Sequence, residues 1–132
     1  MEQINHQLFS NIAHTKIPNF YTPEGDTNYR EVASVFLKLS NDDLAKIASV
    51  SVKTVRFDEE KMPQALKDRI EEIKNVCELV ADMLGGDLKK TQLWFTTKNQ
   101  MLGNISPRDM IRFGRYNKLL DILMDIKNGN TP

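Results

Sequence analysis

Four side chains in the first half of the chain could read DNA. Val52, Lys53, Thr54 and Arg56 are the outward residues of a short helix predicted for VKTVRF. The two cations can donate hydrogen bonds to phosphates or to guanine edges, and the threonine can contact a thymine methyl group. The chemistry predicted here is nucleic-acid binding by the second helix of a helix-turn-helix.

The charge around these residues is balanced. Residues 29–61 hold six basic and six acidic residues, and Asp58-Glu59-Glu60 follows the helix directly, where it would repel phosphates. The whole chain has 18 basic and 18 acidic residues, so DNA binding must depend on a local patch. Two interpretations stay open. The motif binds DNA weakly or only as a dimer, with steep salt dependence, or it is a helical hairpin without affinity for DNA.

A second group of cations recurs at helical spacing near the C-terminus. Arg108, Arg112, Arg115 and Lys118 follow one another at four, three and three positions. They would line one face if their helix continued through Gly114. Such a face suits an acidic partner surface or a phosphate-bearing ligand, and the alternative is a solvated helix face.

Residues suited to catalysis or metal binding are not grouped. His6 and His14 have neither a cysteine nor clustered carboxylates nearby, and nothing pairs a nucleophile with a base. The single cysteine, Cys77, excludes an internal disulfide. The start of the chain does not read as a signal peptide, and no apolar run reaches the length of about 18 residues that a membrane span needs. We expect a cytoplasmic protein that is not an enzyme and has no cofactor, no metal and no membrane partner.

The elements that must position these groups are predicted to be helical throughout. Pro18, Pro23 and Gly25 make residues 1–28 a partly ordered N-terminal arm. Residues 29–62 are predicted to form a helix-turn-helix region. Its first helix buries Val32, Val35, Phe36 and Leu39. Five further residues have predicted local roles. Ser40 and Asp43 cap the next helix, Ala45 allows the two helices to cross closely, Ser49 forms the turn, and Val55 anchors the second helix.

The longest predicted helix covers residues 63–86. Pro63 suits its first turn, and Gly85-Gly86 ends it. Apolar residues recur at spacings of 4-3-4-3-4, namely Leu66, Ile70, Ile73, Cys77, Val80 and Leu84. This stripe predicts packing into the core of the same chain, and the seam of a homodimer is the alternative.

Residues 87–132 are predicted to form short helices around a rigid connector, WFTTKNQMLGNISP at 94–107. Trp94 ends a helix, and we expect it to be mostly buried against Leu119 or Leu123. Within the connector, five residues have predicted roles: Asn99 bonding to the backbone, Leu102 in the core, Gly103 or Asn104 at positive φ, and Ser106 as the cap before Pro107. Gly114 interrupts the next helix, and Asn128-Gly129 closes the last one.

The stretch from Trp94 to Gly129 resembles the toxin-binding domain of the Xre/MbcA/ParS antitoxin family. Members read W-L-x-T-P-N-x-x-L-G-G-x-x-P, followed by two Leu-rich helices that each end near a glycine. The chain matches at Trp94, Thr97, Asn99, Leu102, Gly103, Pro107, Gly114, Leu119, Leu123, Ile126 and Gly129. It has Phe95 where Leu is common, and it departs at Lys98, where the family has Pro, and at Asn104, where the family has Gly.

The resemblance implies an all-α protein in which an Xre-like helix-turn-helix bundle is joined by a long helix to a small toxin-binding domain. It implies an antitoxin of a type II system, one that neutralises a RES-domain, NAD-consuming toxin and represses its own operon. The cognate toxin, a second copy and operator DNA are the expected partners. We also expect the polar tail at 127–132, which begins Lys127-Asn128-Gly129, to face the toxin together with Arg112 and Arg115. The alternatives are a frayed terminus for the tail, and a stand-alone dimeric DNA-binding regulator for the chain.

Overall fold

Helical segments form the secondary structure of this chain. The computed structural model describes residues 15–58 and 60–129, and in that part of the chain the only strand-like pairing is two isolated bridges, Tyr21–Thr27 and Asn99–Ile105. The prediction of an all-α fold is confirmed at this level. Within the same residues, every helix is too short or too polar to cross a bilayer.

Among the described residues, five α-helices follow one another: α1 (Asn41–Ala48), α2 (Gln64–Met83), α3 (Leu88–Thr96), α4 (Pro107–Arg112) and α5 (Tyr116–Lys127). A π-helical segment, Glu31–Phe36, precedes them, and single 3-10 turns lie at Pro18–Phe20, Val52–Thr54 and Gln100–Leu102. The caps predicted at Ser40 and Ser106 are present, whereas the Ser51 side chain does not cap the turn that follows it. Ser40 and Asp43 form a reciprocal capping box in which both hydrogen bonds are 3.0 Å, and Asp87 and Ser106 cap α3 and α4.

Helix α2 lies at the centre of the core. Its predicted stripe is buried from Leu66 to Val80, and Leu84 is half-buried at the end of the helix. Val76 and Leu79, outside the stripe, are buried as well. Other parts of the same chain therefore cover the stripe, which leaves it unavailable as a dimer seam.

The segment before the π-helix packs on α2 and is fixed there by polar contacts. Ile17 and Phe20 are buried, and the carboxylate of Glu78 accepts hydrogen bonds from the Ile17 amide and the Tyr21 hydroxyl, each 2.9 Å long. Partial burial and the Glu78 carboxylate raise the pKa of Tyr21. Ile17, Phe20 and Thr27 of the predicted arm are thus buried in the folded core, and residues 1–14 lie outside the described part.

The first predicted helix differs from its expected form. A π-helical turn is wider than an α-helical one, so the buried side chains are Val32, Ala33 and Leu37, whereas Val35 is 51% exposed. The prediction that Val35 lies on the buried face is wrong. Gln92 and Arg108 donate hydrogen bonds to the carbonyls of Phe36 and Leu37, which an α-helical continuation would otherwise have bonded.

Candidate protein-binding site

The connector between α3 and α4 is held by bonds within its own backbone. The amide of Asn99 donates to the carbonyl of Ile105, and the amide of Asn104 donates to the carbonyl of Asn99, each at 3.0 Å. The Asn99 side chain accepts from the Met101 amide at 2.9 Å, as predicted. Gly103 and Asn104 both have positive φ, at +79° and +65°. Leu102 is buried, so the loop is pinned to the core as well as to itself.

The aromatic pair at the end of α3 divides the buried position unequally. Phe95 is fully buried, whereas Trp94 is half-buried and packs edge-on against Phe95, with ring centroids 5.1 Å apart. Most of the Trp94 side chain is covered, as expected, and it packs against the core, although the fully buried position belongs to Phe95. At the end of this helix only one of two consecutive side chains can point into the core, and the smaller ring takes that position.

Arg108 ties α4 to the end of the π-helical segment. Its guanidinium donates from Nε to the Leu37 carbonyl at 2.5 Å and from Nη2 to the Lys38 carbonyl at 2.6 Å. Lys38 has a φ of +54°, so the chain turns sharply there and directs both carbonyls towards the arginine. Arg108 therefore has a structural role and does not belong to a free basic face.

Arg112 is held between two carboxylates. Its Nε lies 3.2 Å from Asp43 in α1, and its Nη1 lies 3.0 Å from Asp109 in α4. These bonds raise the pKa of Arg112. Partial burial raises the pKa of Asp43, but hydrogen bonds from the Ser40 amide and from Arg112 outweigh it, so the net pKa is lowered. The two aspartates fix the direction of the guanidinium.

The chain reverses direction at a corner formed by Arg112, Phe113, Gly114 and Arg115, which we call the α4–α5 corner. Gly114 has a φ of +76° and interrupts the helix as predicted, so Arg108, Arg112, Arg115 and Lys118 do not line one continuous helical face. Phe113 is 60% exposed, and the Arg112 guanidinium lies 6.0 Å from its ring centroid. Beside the corner is a groove of about 300 Å³ lined by Asp43, Lys46, Arg112, Phe113 and Gly114. Arg115 is exposed.

Phe113 and Lys46 were missed at the sequence level. Phe113 follows Met110 by three positions and reads as part of the buried face of a helix. The usable signal is Gly114 directly after it, because a glycine that ends a helix also ends the helical face. Lys46 could not be found from the sequence, since its place beside the corner depends on the packing of α1 against α4.

The last helix closes as predicted. Leu119 and Leu123 are buried, Lys127 is the final helical residue, and the amide of Asn128 donates to the Met124 carbonyl at 3.0 Å. Gly129 has a φ of +80° and releases the chain from the helix. The remainder of the predicted toxin-facing tail, residues 130–132, lies outside the described part.

The predicted DNA-reading helix is reduced to one 3-10 turn. Val52, Lys53, Thr54 and Arg56 are exposed, and Val55 is buried as the predicted anchor. Ala45 is buried and Ser49 is left-handed, at φ +55°, so the first helix and the turn match the prediction. The helix predicted for VKTVRF is wrong, because the backbone becomes extended at Val55.

The described residues also include no group of three or more His, Cys, Asp or Glu side chains placed to hold a metal ion. Cys77 is fully buried in α2, and burial raises the pKa of its thiol. The polar groups that could act on another molecule are therefore those of the surface, chiefly at the α4–α5 corner.

Comparison with protein-family models, with curated proteins and with solved structures gives no match to this chain. The resemblance over residues 94–129 stays a prediction.

Proposed function

We propose that this chain is the antitoxin of a type II toxin–antitoxin pair and that it binds and neutralises a RES-domain toxin that consumes NAD. The observation that carries the proposal is the geometry of the connector. Asn104 stands where the resembled family has Gly, and its φ of +65° is in the left-handed region that Gly adopts most readily. Asn tolerates this region better than most residues, so the departure keeps the backbone of the motif.

The α4–α5 corner is the surface we assign to the toxin. Exposed aromatic and arginine side chains contribute a large share of the binding energy in protein interfaces. Phe113 is exposed here, and Arg112 beside it is already fixed by Asp43 and Asp109. Little side-chain entropy would be lost when Arg112 meets a partner, which favours affinity. The exposed Arg115 adds positive charge for an acidic rim on the toxin.

We prefer the antitoxin function for this chain to the alternative function of a stand-alone dimeric DNA-binding regulator. A helix-turn-helix reads bases with a helix that lies in the major groove. In this chain the turn is followed by three 3-10 residues, Val52–Thr54, and then by extended backbone at Val55. Repression of the operon by the antitoxin would need the same missing helix, so neutralisation of the toxin is the primary activity proposed.

The proposal requires that a RES-domain protein is encoded beside this chain, and it is tested with that protein; the absence of such a gene would also count against the proposal. The purified RES protein is incubated with NAD, and NAD loss is followed while this chain is added from zero to a twofold molar excess. We expect NAD loss to stop near equimolar chain, and a Val52→Ala variant, altered far from the corner in sequence, to act like the parent. Unchanged NAD loss at twofold excess would overturn the proposal.

A further inference from the structure

An apolar surface lies on the outer side of α3 and the π-helical segment. Three of its side chains are large, apolar and exposed: Leu93 at 65%, Val35 at 51% and Leu88 at 38%. Together with Lys89 and Gln92, they define what we call the α3 face. Apolar side chains grouped in this way are characteristic of binding surfaces.

Two adjoining grooves divide the α3 face into two unlike ends. One groove, of about 220 Å³, is lined by Phe20, Val35 and Leu88, with Glu31 at its edge. The other, of about 320 Å³, is lined by Leu93 and Thr96, with Lys38 at its edge. Phe36, Lys89 and Gln92 line both, so they form the ridge between the two grooves.

The ridge and the groove floor are rigid. Phe36 packs edge-on against Phe20 and Phe95, with centroid distances of 5.1 and 6.3 Å. Gln92 Nε2 donates to the Phe36 carbonyl at 3.1 Å, which fixes the ridge to the segment beneath it. The surface is therefore already formed before a partner binds, and binding would cost little conformational entropy.

We propose that the α3 face is the interface of a homodimer, with the two-fold axis at the ridge. A two-fold interface places each end of the face against the opposite end of the other copy. Leu93, the most exposed apolar side chain at one end, would then enter the partner's groove between Val35 and Leu88. Glu31 of each copy would meet Lys38 of the other, so the charges match as well.

This charge arrangement favours a second copy over an unrelated protein. The face has Glu31 at one end and Lys38 at the other, so these two charges pair after a half-turn, while Lys89 of each copy lies on the ridge near the two-fold axis. The α2 stripe cannot serve as the seam, because it is covered within the chain. The proposed dimer interface is a different surface from the α4–α5 corner. The outcome of the toxin-binding experiment therefore does not decide whether the dimer forms.

The test is sedimentation equilibrium of the full chain from 1 to about 100 µM. We expect a reversible dimer for the parent and a monomer for Leu93→Glu. In the monomer this substitution puts a charge on a side chain that is already mostly in water, so the melting temperature should stay within a few degrees. The matched control, Val52→Glu, changes another exposed apolar residue and should leave the dimer intact.

A charge exchange tests the two-fold arrangement itself. Glu31→Lys alone should weaken the dimer at least about fivefold, because each interface carries the change twice. The double variant Glu31→Lys with Lys38→Glu should restore most of the affinity. A monomeric parent over the whole range would overturn the proposal, and so would a Leu93→Glu variant as dimeric as the parent. Failure of the double variant to recover would overturn the two-fold pairing of Glu31 with Lys38.

Discussion

Arg108 closes the end of a helical segment 71 positions earlier in the chain by donating from Nε to the carbonyl of Leu37 at 2.5 Å. The same guanidinium reaches the carbonyl of Lys38. This one side chain joins the end of the π-helical segment to the helix that leads into the α4–α5 corner. The stability of the corner therefore depends on residues far from it in sequence.

We predict that Arg108→Ala lowers the free energy of unfolding by about 2 kcal/mol, because two carbonyls lose a charged donor. Urea unfolding followed by circular dichroism measures the change. Arg115→Ala is the matched control, since Arg115 is exposed and should alter stability by less than about 0.5 kcal/mol. If the Arg108 variant unfolds at the same urea concentration as the parent, this role is wrong.

The aromatic pair at the end of α3 should respond unequally to truncation. Phe95→Ala empties a fully buried position and should cost about 3–5 kcal/mol. Trp94→Ala removes a half-buried ring and should cost about 1–2 kcal/mol, less than a full core position would. Thermal melting of both variants decides the order. A larger loss for Trp94→Ala would place the tryptophan in the core after all.

The connector should be sensitive to backbone conformation and tolerant of side-chain size. A methyl group at Gly103 would meet nothing within 4 Å, so any cost of Gly103→Ala comes from its φ of +79°. We expect a loss of about 1 kcal/mol. Asn104→Gly keeps the left-handed conformation and should change stability by less than about 0.5 kcal/mol. Equal stability of Gly103→Ala and the parent would contradict this geometry.

Acid should remove the contribution of Asp43. The folded-state pKa of Asp43 is lowered, so its contribution is fully present above the ordinary aspartate pKa of about 3.9 and is lost as pH falls through the folded value. Asp43→Asn should cost about 1–2 kcal/mol at pH 7. The gap between parent and variant, measured by urea unfolding from pH 7 to pH 3, should hold to about pH 5 and then shrink. If the difference in the free energy of unfolding between parent and variant grows towards pH 3, the lowered pKa assigned to Asp43 is contradicted.

Local signals in the sequence were sufficient for the caps and turns. Ser40 with Asp43, Asp87, Ser106 and Gly114 each act through backbone groups a few positions away, so the sequence alone specifies them. The stripe of α2 was equally readable, since one periodicity persists over nearly the whole helix.

Contacts between segments that are distant along the chain could not be predicted from the sequence. The end of the π-helical segment is bonded by side-chain donors from Gln92 and Arg108. The sequence around Glu31–Phe36 contains no pattern that predicts these distant donors. The α3 face depends on that segment, because the π-helical turn is what exposes Val35. The missing second helix has a similar basis. VKTVRF has suitable spacing, but two of its first three residues are β-branched and weak in helices, and Val55 is buried from an extended backbone.

The proposal requires a RES-domain toxin encoded at the same locus. The account is tested most directly by the affinity of this chain for that toxin, measured by isothermal titration calorimetry for the parent and for Phe113→Ala. Phe113 is 60% exposed, so its removal should leave the melting temperature nearly unchanged. The account predicts tight binding by the parent and at least about tenfold weaker binding by the variant, as for an interface hot spot. No binding by the parent, or equal affinity of parent and variant, would contradict it.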